Sequence, residues 1–118
     1  MRFAWLIICA LLCGCATESW TREDTRREVI FQVLNVADAM TTANIHKTAG
    51  IYENNPLTRS LIGEQPASAE VAILFAVYGV GHILISRSLT PKWRKRFQIA
   101  SNLAAGYVVF NNCKLDLC

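Results

Sequence analysis

Charge is scarce in this chain: 18% of its 118 residues are Asp, Glu, Lys or Arg, and only two are histidine. Three prolines and six glycines are too few for a low-complexity or collagen-like chain. The five cysteines do not build a disulfide framework, because Cys9, Cys13 and Cys15 fall within the first fifteen residues. No HExxH, CxxC, GxSxG or phosphate-loop pattern is present, which removes the zinc, redox, hydrolase and nucleotide sites that such motifs announce. What the chain has in excess is apolar surface, 53% of residues, gathered in blocks that point to a membrane and away from disorder. A length of 118 residues leaves room for one small domain and excludes most multi-domain enzymes.

Met1-Arg2 forms a minimal positive start, residues 3–12 are uninterruptedly apolar, and Leu12-Cys13-Gly14-Cys15 closes the run. This end resembles the lipobox of bacterial lipoproteins, with Leu12 at the branched apolar position and Gly14 at the cut. The resemblance implies a signal peptide over 1–14, a diacylglyceryl group and an amide-linked acyl chain (palmitate) on Cys15, and a lipidated stalk over 15–21. Cys13 fits less well as the modified residue, since Leu12 would then stand where the pattern takes Gly, Ala or Ser. Several acyl chains on one cysteine anchor firmly, because each buried methylene contributes about 0.8 kcal/mol. The competing reading is an ordinary signal segment, cleaved or retained. In Gram-negative lipoproteins a residue other than Asp after the modified cysteine permits transfer to the outer membrane, and Ala16 is such a residue.

From residue 22 onward the pattern predicts one all-α domain, a three-helix bundle embedded in or lying against a membrane. Thr21 with Asp24 has the spacing of a capping box, and Glu23 and Arg27 are placed to pair. The first helix is predicted over 22–47, ending on His46 and Lys47 with Gly50 as the stop. Gln32, Asn35, Asp38, Thr42 and His46 recur at spacings of three and four and form one polar stripe on it. Gly50, Asn54, Asn55, Pro56, Gly63 and Pro66 then mark a linker. Ser68 as N-cap, with Glu70 in the first turn, opens a second helix over 69–88. Between residues 71 and 85 only His82 interrupts its apolar run, which measures about 22 Å, borderline for a span. Ala72, Ala76 and Gly79 give it a small-residue face. Thr90-Pro91 starts the third helix, over 91–111.

Lys92, Arg94, Lys95 and Arg96, with Trp93 among them, crowd the start of that third helix, where cations have the wrong sign for the dipole, and Arg87 lies shortly before it. Anionic headgroups and the cytoplasmic bias of basic residues explain them better than a solvated turn, and nucleic acid would need a wider basic surface. If Arg2 leaves with the signal, the net charge falls from +3 to +2, and five of the remaining eleven cations lie within 87–96. The expected topology therefore keeps the basic loop cytoplasmic and returns the third helix outward. The first helix then lies in the outer interface or packs on the others without crossing. Cys113 and Cys118 share an oxidising compartment in this arrangement and are a candidate disulfide.

Asp38 is the one carboxylate inside an otherwise apolar stretch, and His82 is its candidate partner. Tyr78, His82 and Ser86 share one side of the second helix, and Gln98, Ser101 and Asn102 form a stripe on the third. Three such stripes would meet in an internal polar network, with Glu53 capping it from the linker. Asp38 with Thr41 or Thr42, followed by Glu53-Asn54-Asn55-Pro56, also resembles an Asp…Thr…Glu-x-Asn-Pro signature of small bacterial membrane proteins of unknown function. That resemblance brings no activity and marks Asp38, Glu53 and Asn55 for mutation. The sequence thus reads as a membrane-anchored lipoprotein without a metal or cofactor. Its expected role is a non-enzymatic one in envelope structure or interaction, at the inner membrane, with membrane lipid and another envelope protein as partners. Two alternatives stay open: a membrane enzyme or metal-dependent hydrolase using Asp38, Glu53 and His82, and a soluble periplasmic lipoprotein, outer-membrane anchored, that binds another envelope component.

Overall fold

The structure is a computed structural model and describes residues 19–118. The expected signal peptide 1–14 and the lipidation site Cys15 lie outside the described residues. Within them the chain is all-helical: α1 (Arg22–Ala43), a 3-10 turn (Ile45–Lys47), α2 (Pro56–Ile62), α3 (Ser68–Ser88) and α4 (Pro91–Lys114).

Local chemistry accounts for most of the boundaries. The Thr21 hydroxyl accepts the Asp24 N–H at 3.1 Å and the Asp24 carboxylate accepts the Thr21 N–H at 2.9 Å, a closed capping box. The first helix stops earlier than the predicted residue 47 because Asn44 turns away to donate to the Leu117 carbonyl at 2.9 Å. His46 therefore leaves the polar stripe and is exposed. The expected linker holds a fourth helix. Asn55 caps α2 by accepting the Leu57 and Thr58 N–H groups, and Pro56 follows at the first helical position. Ala67, not Ser68, is the N-cap of α3, with the Glu70 carboxylate accepting the Ala67 N–H. The last helix runs to Lys114 and ends in a Schellman motif: Leu117 N–H reaches the Asn112 carbonyl and Asp116 N–H the Cys113 carbonyl, with Asp116 left-handed at φ 60°.

The contacts climb α1 and α4 together and descend α3. Asp24 meets Arg94, Asp38 meets Asn112 and Asn44 meets Leu117, so α1 and α4 are parallel. Glu28 meets Ser86, Gln32 meets Gly79 and Asn35 meets Phe75, so α3 is antiparallel to both. The start of α1 thus sits at the same end as the basic loop between α3 and α4. Of the two expected placements of the first helix, in the outer interface or packed on the others, the structure shows the second: its whole length is packed between α3 and α4.

Burial is inverted relative to a water-soluble domain. Only Ile45, Val71, Phe75 and Leu117 are buried among the large apolar side chains described, whereas Asp24, Glu28, Asn35, His82, Arg94 and Gln98 are all inside. The apolar residues Val33, Ile73 and Leu103, one from each long helix, are 63%, 68% and 72% exposed.

α1 packs tightly on α3 at Gly79, where a Cβ would lie 2.7 Å from Gln32 Oε1 and 3.2 Å from Asn35 Nδ2. A Cβ at Gly81 on the same helix would meet nothing within 4 Å. Gly79→Ala is therefore expected to destabilise the purified protein by about 1–2 kcal/mol through overpacking. Gly81→Ala is expected to be neutral or to stabilise by about 0.5–1 kcal/mol through lost chain entropy. Thermal melts of the two variants under the same conditions check the contrast.

Candidate functional site

Three polar layers fill the bundle from the basic end to the linker end. In the first, the capping box holds the Asp24 carboxylate inward in the first turn of α1. Arg94, one turn into α4 and fully buried, donates to Asp24 Oδ2 at 3.0 Å, to the Ser86 carbonyl at 2.8 Å and to the Leu89 carbonyl at 3.1 Å. One guanidinium thus binds a carboxylate of α1 and the open carbonyls at the end of α3. A cation with the wrong sign for its own helix start has the right sign for the C-terminus of its neighbour. Arg94 is accordingly no headgroup ligand, which corrects its place in the expected basic patch. Arg87, Lys92, Trp93, Lys95 and Arg96 remain exposed.

Arg27 adds a second guanidinium to Asp24 at 2.6 Å and donates through Nε to Gln98 Oε1 at 2.9 Å. Burial pushes the Asp24 carboxyl up, but the Thr21 cap, Arg94 and Arg27 outweigh it and hold the carboxyl at about 2.

The middle layer is built on His82. Its Nδ1 lies 2.9 Å from both carboxylate oxygens of Glu28, and its Nε2 lies 2.7 Å from Ser101 Oγ. Phe31 stacks on the imidazole at 3.6 Å and Phe97 lies across it at 4.6 Å, so the ring cannot turn. Gln32, Ser86 and Gln98 all donate to Glu28, which spreads its charge over the three helices. Ser101 in turn donates to the carbonyl of Phe97 or Gln98 in its own helix.

At the linker end Asp38 accepts from Thr42 and Asn112, both at 3.2 Å, and Asn112 also donates to Thr41 at 2.8 Å. Glu53 is buried and accepts the Asn55 N–H at 2.7 Å. Glu53, Tyr52, Tyr107 and Asn112 line a cavity of about 230 Å³ there, so the residues of the Asp…Thr…Glu-x-Asn-Pro pattern come to one end of the bundle. Cys113 and Cys118 are joined by a disulfide at this same end, with a Cα separation of 4.9 Å.

His82 does not join that end. Its carboxylate partner is Glu28, ten residues before Asp38 on α1 and so about 15 Å away along the helix. The expected Asp38–His82 pair is replaced by Glu28–His82, and the proposed constellation of Asp38, Glu53 and His82 is divided. No group of three or more His, Cys, Asp or Glu side chains is placed to hold a metal among the described residues. Glu28 is not among the residues singled out from the sequence, and Asp24 and Arg94 are assigned there to a helix cap and a basic patch, not to an internal network. The signal for them was present: residues 24 and 28 continue the 32-35-38-42 stripe toward the N-terminus, and residue 94 lies one turn before Gln98.

A family model described as Domain of unknown function (DUF5658) matches residues 29–115, which takes in Asp38, Glu53, His82, Arg94, Ser101 and Asn112 and begins just after Asp24 and Glu28. No curated protein and no solved structure matches the chain.

The first layer makes two predictions. Arg94→Met leaves a buried carboxylate short of its partner and α3 uncapped, and should cost about 3 kcal/mol, while Lys92→Met on the surface should stay within about 0.5 kcal/mol. Because the folded Asp24 carboxyl lies at about 2, below its ordinary 3.8, its contribution is full above that ordinary value and is lost as pH falls through about 2. That contribution is on the order of 2 kcal/mol. Melts recorded from pH 7 to pH 2 should show Asp24→Asn less stable at neutral pH and flatter than wild type on the acid side.

Proposed function

The chain belongs to the DUF5658 family, and from that starting point we propose that it is a membrane-embedded protein of the cell envelope with a structural or interaction role. The inverted burial carries this reading. Polar residues in a bilayer face the bundle interior and pair with one another, while the outward faces meet lipid. Ser68–Ser88 has the length and hydropathy of a membrane span, and only 22% of its most apolar stretch is buried by the rest of the protein. The other two long helices have the same reach, at about 33–36 Å against a hydrocarbon core of about 30 Å. Their hydropathy is lower because they carry the inward stripes.

Two features at opposite ends orient such a bundle in the same way. Arg22, Arg26, Arg87, Lys92, Lys95 and Arg96 are exposed at the Thr21 end, which suits the cytoplasmic face and its anionic lipids. The disulfide at the other end suits an oxidising compartment. In this orientation the exposed cations and Trp93 lie at headgroup level on the inner face of the cytoplasmic membrane.

The lipobox resemblance of Leu12-Cys13-Gly14-Cys15 supports a second reading, a lipoprotein anchored through Cys15. The six-residue step from Cys15 to Thr21 reaches at most about 20 Å, too short to cross the hydrocarbon core. A lipid on Cys15 at the outer face therefore holds the basic end at the outer face too, with the disulfide end inside. Lipid anchoring and a cytoplasmic basic end are thus alternatives for this bundle.

Embedding predicts that both the wild type and Cys15→Ser stay in the membrane pellet through carbonate extraction at high pH. Release of Cys15→Ser would mean that the helices do not cross. For orientation, a periplasm-active reporter fused after Cys118 should be active, and a clickable palmitate analogue should leave the protein unlabelled. An inactive reporter together with label lost in Cys15→Ser would establish the lipoprotein orientation instead.

A further inference from the structure

We propose that the cleft between α3 and α4 is an acyl-transfer site, in which Ser101 is the nucleophile, His82 its base and Glu28 the group that orients His82. Tyr78 serves there as the hydrogen-bond donor to the oxyanion. This goes beyond the embedded reading and uses it only for the class of substrate, a carboxylic ester of an apolar, membrane-resident molecule.

The geometry is that of a nucleophile, a base and an orienting carboxylate in sequence. With the Glu28 carboxylate 2.9 Å from Nδ1, the imidazole carries its proton on Nδ1 and leaves Nε2 free to accept from Ser101 at 2.7 Å. The Phe31 and Phe97 rings fix the plane of the imidazole. The Ser101 proton has competing acceptors in the Phe97 and Gln98 carbonyls, and the rotamer directed at His82 is the nucleophilic one.

The surroundings make this a site as well as a network. His82 and Ser101 line a cleft of about 380 Å³ whose remaining walls include Val77, Ile85 and Phe97. Val77 and Ile85 are 61% and 48% exposed, so the cleft opens on the apolar flank of the bundle. Tyr78 lines the same cleft one turn from His82, and its hydroxyl is buried with no hydrogen-bond partner. Asn102 Oδ1 is likewise buried without a partner, but it can only accept, whereas the Tyr78 hydroxyl is a donor free for a substrate oxygen.

In the reaction the Ser101 oxygen bonds to the ester carbonyl carbon and the Ser101 proton moves to His82 Nε2. Glu28 stabilises the imidazolium, and the Tyr78 hydroxyl donates to the carbonyl oxygen as it becomes an oxyanion. Collapse breaks the ester C–O bond, and the leaving alcohol takes the proton from His82. Water then attacks the acyl-Ser101 ester, giving its proton to His82, which returns it to Ser101 as the carboxylic acid departs.

The test uses the full-length protein in detergent micelles and an alkyl fluorophosphonate, which phosphonylates a nucleophilic serine with loss of fluoride. Peptide mapping should place the adduct on Ser101, and Ser101→Ala should abolish both the adduct and hydrolysis of p-nitrophenyl decanoate. Tyr78→Phe removes a hydroxyl that bonds to nothing, so a merely structural residue predicts an unchanged melting temperature and an unchanged labelling rate. The proposal predicts the same melting temperature with labelling at least tenfold slower. Absence of a Ser101 adduct on folded wild type, or a Tyr78→Phe rate equal to wild type, would overturn it, and neither result bears on carbonate resistance.

Discussion

The ion pair between Asp24 and Arg94 is the contact on which the other polar layers depend. Arg94 comes from α4, its carboxylate from α1 and its two carbonyl acceptors from the end of α3, so one side chain registers three helices. In water such a buried pair is a doubtful source of stability, because taking both ions out of solvent costs as much as their attraction returns. Its part here is therefore one of register: with Arg94 bonded to α1 and to the end of α3, any other pairing of helix faces would leave a buried charge unpaired. Glu28 repeats the device one turn deeper, with His82, Ser86, Gln98 and Gln32 as its partners.

This logic explains why the helices pack through polar stripes while their apolar faces point outward. In the proposed embedding, lipid tails compete with Leu or Val for apolar contact, so hydrophobic burial alone does not select a neighbour, and hydrogen bonds with close approach at small residues do. Gly79 supplies the close approach, letting the Gln32 side chain reach the Gly79 carbonyl at 3.0 Å. The ends are finished differently: a cluster of cations around the α3–α4 turn at one, a Schellman turn stapled by Cys113–Cys118 at the other. The middle layer is the part whose arrangement exceeds what holding helices together requires, because it combines an oriented imidazole with an open apolar cleft.

Much of this was legible from local signals. The Thr21–Asp24 box, the Thr90–Pro91 start and the stripes carrying Asn35, His82 and Gln98 are all short-range patterns, and the helices follow them. The Asn55–Pro56 pair carried the same start signal as Thr90–Pro91, but the two turns of α2 are too short for a periodicity to stand out among turn residues. What the sequence could not disclose was which stripe positions face each other. Asp38 and His82 were a chemically sensible pair, yet the depth at which α3 runs past α1 is fixed jointly by Gly79, Asn35 and Ser86, and it puts Glu28 opposite His82. Likewise nothing local states that α1 runs parallel to α4. That follows from Asp24–Arg94 at one end and Asn44–Leu117 at the other.

The central claim is that this bundle is built inside out, with ions and hydrogen bonds within and lipid around it. Nitroxide labels placed singly at Val33, Ile73 and Leu103, in the full-length protein reconstituted in liposomes, test it most directly. The account predicts that all three sites relax strongly with oxygen and weakly with a water-soluble nickel complex, as lipid-facing positions do. Strong relaxation by the nickel complex at those sites would show the apolar faces to be in water and would contradict it.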